Sequence, residues 1–161
     1  MNQDKEKQAR RIKASMELQQ RVGTGEIEKK SVVAAQDVMD NTDVDFKEIA
    51  KPELDALQKA IDTAGKGITD DTLQSLKTPI MNLKANAAVF KYQMISELTG
   101  MVLILFETVD QPDKKIIKIA DILHKTILLA LAYGMSGDGG KNGAVLIKAF
   151  EQVCRKYKPK A

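Results

Sequence analysis

The sequence predicts an all-α fold: a single-domain bundle of five to seven helices, with a long central helix near residues 79–109 and a basic N-terminal helical arm. Three observations carry that prediction. Apolar residues recur at steps of three and four over most of the chain, the spacing of one helical face. No segment alternates at period two, and no Asn-Gly turn joins alternating apolar runs, so nothing reads as sheet. The 161 residues are 43% apolar and 29% charged, a globular composition long enough for one domain with a real core.

In chain order, residues 4–21 read as a short helix with Ile12 and Met16 on one side and Lys5, Lys7, Arg10, Arg11 and Lys13 elsewhere. That apolar stripe is too thin to hold a helix alone in water. Gly23 and Gly25 make a flexible joint, dividing the chain into an arm (1–25) and a bundle domain (26–161). Residues 26–40 form the next helix, with Ile27, Val32, Val33, Ala35 and Val38 expected to face inward. Asp45 and Glu48 have capping-box spacing, and Phe46 and Ile49 supply an apolar side. Pro52 suits a new helix start, and that helix, lined by Leu54, Leu57 and Ile61, should end at Gly65 and Gly67. Thr69 caps a short helix through Leu73 and Leu76 that is expected to stop before Pro79.

Thr78 and Pro79 then read as the N-cap and first position of the central helix. Ile80, Leu83, Ala87, Phe90, Met94, Leu98, Met101 and Leu105 mark its inward face, while Lys77, Lys84 and Lys91 recur every seven residues on a wet side. Residues 101–106 are apolar all round, so the second half should be buried on every side. A helix of this length would be about 46 Å long, enough to span the domain unless it bends near Gly100. Asp113 follows Pro112 and caps a helix carrying Ile116, Ile119, Ala120, Leu123, Ile127 and Ala130, which stops at Gly134. A glycine-rich loop leads to a last helix expected to bury Leu146, Ala149, Phe150, Val153 and Tyr157.

Composition narrows the function classes. The longest apolar runs, 98–106 and 126–135, fall well short of the roughly 20 residues a membrane span needs. One Cys excludes an internal disulfide and fits a reducing compartment, and residues 1–21 are charged throughout rather than built as a signal segment, so the expected location is cytoplasmic. The net charge of +3 is uneven: residues 1–21 hold six basic and three acidic side chains, and 148–161 hold five and one. Residues 26–110 are acidic on balance, with fifteen acidic against nine basic side chains. Basic ends attract anionic partners or serve simply as solvated termini.

The constellations that could carry chemistry are sparse. The loop from Gly134 to Asn142 resembles a phosphate loop only loosely: Met135 and Asn142 stand where a Walker A loop needs Gly and Ser or Thr. An EF-hand reading from Asp138 fails at its twelfth place, Ala149, where a bidentate carboxylate is required. Asp37, Asp40, Asp43, Asp45 and Glu48 lack the glycine of a sharp calcium turn and read as helix-end residues. His124 is the single histidine, and Cys154 lies in an apolar arc, so a Cys–His pair has no support. A helical phosphotransfer module would place Lys and Gly three and four residues after its acceptor His; Ile127 and Leu128 hold those places.

The expectation is therefore a non-enzymatic helical protein-interaction module, an adaptor, regulator or oligomeric scaffold, with no catalytic residues, cofactor or metal. Its partner-binding residues are Arg10, Arg11, Ile12, Lys13 and Met16: the two aliphatic side chains anchor while the cations steer towards an acidic protein surface. A protein partner is expected, with a homo-oligomer as a further possibility. Two alternatives stand beside it. One is nucleic-acid binding through the basic termini, for which Tyr157 is the single nearby aromatic. The other is a phosphotransfer-type signalling bundle with His124 as acceptor.

Overall fold

A computed structural model describes residues 45–157, together with Lys30, Val32, Val33, Ala34 and Asp37. The chain divides into two units, Met1–Asp43 and Val44–Ala161. In the first, the five described residues are helical and exposed, Val32 and Val33 included, although both were expected to face inward. The boundary expected between residues 25 and 26 lies outside the described residues.

The second unit is all-helical, with no strand among the described residues. Its helices are α1 (Phe46–Lys66), α2 (Thr72–Val89), α3 (Gln93–Glu107), α4 (Lys114–Ala132) and α5 (Gly140–Lys156). α1 packs on α2 and α4, and α3 packs on α2, α4 and α5. The core between them is aliphatic, built from Leu57, Leu76, Ile80, Leu83, Ile95, Leu98, Ile116, Leu123 and Ile127, with Phe106 as its largest side chain.

Several helix ends follow local chemistry. The Asp45 carboxylate accepts from the Lys47 amide at 3.0 Å, and Asp113 accepts from the Lys115 and Ile116 amides at 2.9 and 3.0 Å. Each satisfies amides that the first turn leaves without an intrahelical partner. α1 ends at Lys66, beside Gly67, as expected.

The prolines and the central helix differ from expectation. Pro52 lies inside α1 and Pro79 inside α2, so neither starts a helix. Thr78 is no cap; its hydroxyl donates back to the Gln74 carbonyl at 3.1 Å. The reason is packing. Leu76, Pro79, Ile80, Leu83 and Ala87 form one buried stripe that crosses the proline. Burying each large side chain of the stripe contributes about 1.5–3 kcal/mol, which together exceeds the cost of about 3 kcal/mol for a mid-helix proline.

Instead of one rod over 79–109, the chain turns back at residues 90–92 and runs as α2 and α3. Lys91 takes a left-handed conformation, φ 61°. Its amide bonds the Ala88 carbonyl at 3.3 Å, and the Tyr92 amide reaches the Ala87 carbonyl at 2.8 Å. That pair of bonds is a Schellman ending, reached without glycine. Phe46 holds the turn: its ring stacks on Tyr92 at 4.3 Å and meets Phe90 at 6.0 Å. Gly100, the expected bend, sits buried in the middle of α3.

Candidate partner-docking surfaces

The expected partner residues Arg10, Arg11, Ile12, Lys13 and Met16 lie outside the described residues.

The glycine-rich loop is a connector between α4 and α5. Gly134, Gly137, Gly139 and Gly140 all have positive φ. The Gly137 carbonyl accepts from the Met94 amide at 3.0 Å, so the loop caps the start of α3. The Asp138 carboxylate accepts from the Gly140 amide at 2.9 Å. A carboxylate therefore already occupies the positive end of α5, where a bound phosphate would have to sit. Gly143 fixes the fold-back: a Cβ there would lie 2.0 Å from the Asp138 carbonyl oxygen.

The reactive side chains are placed poorly for chemistry. His124 is 6% exposed, and its Nδ1 is enclosed with no hydrogen-bond partner. Phosphoryl transfer needs a partner enzyme to reach that ring, so burial weighs against the acceptor role. Lys125, Leu128 and Leu129, beside it on α4, are the residues exposed there. Cys154 is partly buried among the apolar side chains of α5, and burial pushes its thiol pKa up, away from a reactive thiolate. Among the described residues no three His, Cys, Asp or Glu side chains converge as a metal would require. No described helix is long and apolar enough to cross a membrane.

The exposed apolar side chains are more informative. α2 and α3 run antiparallel about the turn at Tyr92, and between them lies an open groove of about 520 Å³. Met81, Ala85 and Ala88 form one wall, and Ser96, Leu103 and Ile104 the other. Met81 is 54% exposed and Ile104 65%. Lys77 lines the groove on the α2 side with Glu107 from the end of α3, and Lys84 reaches in from α2. Gly100 forms the floor; the Lys84 ammonium lies 3.7 Å from where a Cβ would project, so the lysine stem crosses the glycine. The sequence expectation that residues 101–106 are buried on all sides is thus overturned. Val102, Leu105 and Phe106 are buried, but α3 has neighbours on only part of its circumference, and Ile104 points outward.

A second apolar notch of about 450 Å³ lies between the end of α4 and the start of α5, lined by Leu129, Tyr133, Met135, Val145 and Leu146. Tyr133 is 77% exposed and Val145 67%. α5 is the least buried helix: only Phe150 of its expected inward set is fully covered, and Ala149 is exposed. A third groove, between α1 and α4, is polar. Lys66, Lys114, Lys118 and Lys125 line it with Asp62 and Asp121, and Lys125 pairs with Asp121 at 2.7 Å.

Sequence reasoning missed both apolar surfaces. The signal for the first was present as an excess: six consecutive apolar residues at 101–106, more than one helix can bury against neighbours on one side. No family model matches this chain, and neither a curated protein nor a solved structure matches it.

Proposed function

We propose that this chain is a non-enzymatic helical protein-interaction module. One observation carries the reading: of the large apolar side chains at least half exposed in the second unit, Met81, Ile104, Leu129, Tyr133 and Val145 fall on two concave surfaces, with Val89 apart. Isolated exposed apolar residues are ordinary, whereas grouped ones rimmed by polar residues mark contact sites. The burial of His124 and the raised thiol pKa of Cys154 support the same reading against the chemical alternatives.

In this reading the basic arm adds steering. Arg10, Arg11 and Lys13 raise the encounter rate with an acidic surface, and Ile12 and Met16 anchor it. The test uses the full chain carrying a photo-cross-linking residue at Met81, Ile104 or Tyr133, in lysate with and without nuclease. A discrete protein adduct that survives nuclease supports the module. Adducts that vanish with nuclease would put nucleic acid in its place. Replacing Arg10 and Arg11 by alanine should slow association with the captured partner, more so at low salt, and an unchanged rate removes the arm from the account.

A further inference from the structure

From the chemistry of the α2–α3 groove we infer its occupant: an acidic amphipathic helix of a partner protein, about three turns long. The inference rests on the interaction-module reading and names the site and the ligand class within it.

The groove has the form of a helix seat. From the Lys77 and Glu107 end to the Ala88 and Ser96 end, α2 advances eleven residues, about 16 Å, room for a helix of roughly three turns. Met81 and Ile104 stand on opposite walls, so a helix lying between them is gripped from both sides. Gly100 forms the floor, with the Lys84 stem lying across it, and the short side chains of Ala85, Ala88 and Ser96 keep the walls low beside it. Helices that bind this way place apolar anchors at i, i+3 or i+4, and i+7.

The cations on the α2 side of the groove select the occupant. Lys77 and Lys84 are seven residues apart on α2, about 10.5 Å along the axis. Two acidic residues seven apart on a docked helix have the same repeat. Neither lysine has a carboxylate within ion-pair range among the described residues, although Glu107 lies at the Lys77 end of the groove. Groove-lining cations with no ion pair among the described residues favour an acidic ligand and repel a basic one.

The test is a selection on the full-length protein from a displayed library of helical peptides, in which the apolar heptad positions and the flanking charges vary. Selected peptides should carry Asp or Glu beside the apolar stripe. Binding measured by fluorescence anisotropy should weaken at least tenfold with Ile104→Glu, which places a charge in the contact. The double variant Lys77→Glu, Lys84→Glu should weaken acidic peptides about five- to tenfold at low salt and bind charge-reversed peptides better. All three positions are solvent-facing or groove-lining, and an unchanged thermal melt confirms the fold in each variant.

Peptides without acidic bias, or indifferent to these variants, overturn the inference. Peptides lost instead on Tyr133→Glu move docking to the α4–α5 notch, sinking the groove assignment while the module reading stands. Self-association abolished by Ile104→Glu, with no acidic peptide selected, makes a second copy the occupant and also overturns it. Failure to select any peptide at either surface overturns the inference, while the module reading stands or falls on the cross-linked adduct.

Discussion

Two helices of this bundle end on the same motif, one with a lysine where the other has a glycine. α2 closes with Lys91 left-handed, its amide on Ala88 and the Tyr92 amide on Ala87. α4 closes with Gly134 left-handed, its amide on Leu131 at 3.1 Å and the Met135 amide on Ala130 at 2.9 Å. The backbone bonding is equivalent, yet the causes differ. At Gly134 the residue itself permits the turn, since glycine pays no Cβ penalty there. At Lys91 the left-handed state costs about 1–2 kcal/mol, and the stack of Phe46 on Tyr92 supplies the compensation from another helix. A helix end is thus either a local decision or a tertiary one, and only the first kind is visible in sequence.

The largest test of that contrast is Phe46→Ala. Phe46 is 2% exposed, and its removal should cost about 3–5 kcal/mol in urea unfolding. It should also raise amide exchange at residues 90–92 while leaving the Gly134 end protected. Equal loosening at both ends would mean that the aromatic clamp is not specific to the Lys91 turn.

Gly143→Ala probes the opposite end. Its Cβ would meet the Asp138 carbonyl oxygen at 2.0 Å, so backbone has to move, with an expected loss of about 2–3 kcal/mol. A loss below about 0.5 kcal/mol would show that the connector has slack and is not held by close backbone approach.

The smaller pair addresses the motif itself. At Gly134 nothing lies within 4 Å of an added Cβ, so Gly134→Ala meets only the left-handed penalty, about 1 kcal/mol after the gain from a stiffer unfolded chain. Lys91→Gly has the smallest expected effect, a change within about 1 kcal/mol, because relief of the left-handed strain is offset by the extra freedom of the unfolded chain and by the loss of the lysine's own interaction. If Lys91→Gly instead destabilises by more than about 1 kcal/mol, the lysine side chain itself fastens the turn, and the two ends differ less than their residues suggest.

The same distinction separates what was legible from what was not. Asp45 and Asp113 caps, the end of α1 beside Gly67 and the stop at Gly134 were all readable, since each rests on chemistry within a few residues. Pro52 and Pro79 have the local signature of helix starts, yet each lies inside a helix because the prolines' local cost is outweighed by a stripe that packs on other helices. The run 101–106 was read as wholly buried because composition reports how apolar a helix is, not how many neighbours it has. The candidate groove depends on that number. Its two walls lie about Tyr92, and no spacing rule brings Met81 across from Ile104 until the chain is known to turn there.

By itself, then, the sequence determined the class of the fold, most helix periods and the ends set by aspartate and glycine, because these are properties of short stretches meeting water and their own backbone. Tertiary structure alone decided that residues 79–109 are divided between two antiparallel helices, that Gly100 lies inside one of them, and that Ile104 faces out. Those outcomes hang on contacts between residues far apart in the chain, above all Phe46 with Tyr92, whose energy no local pattern contains.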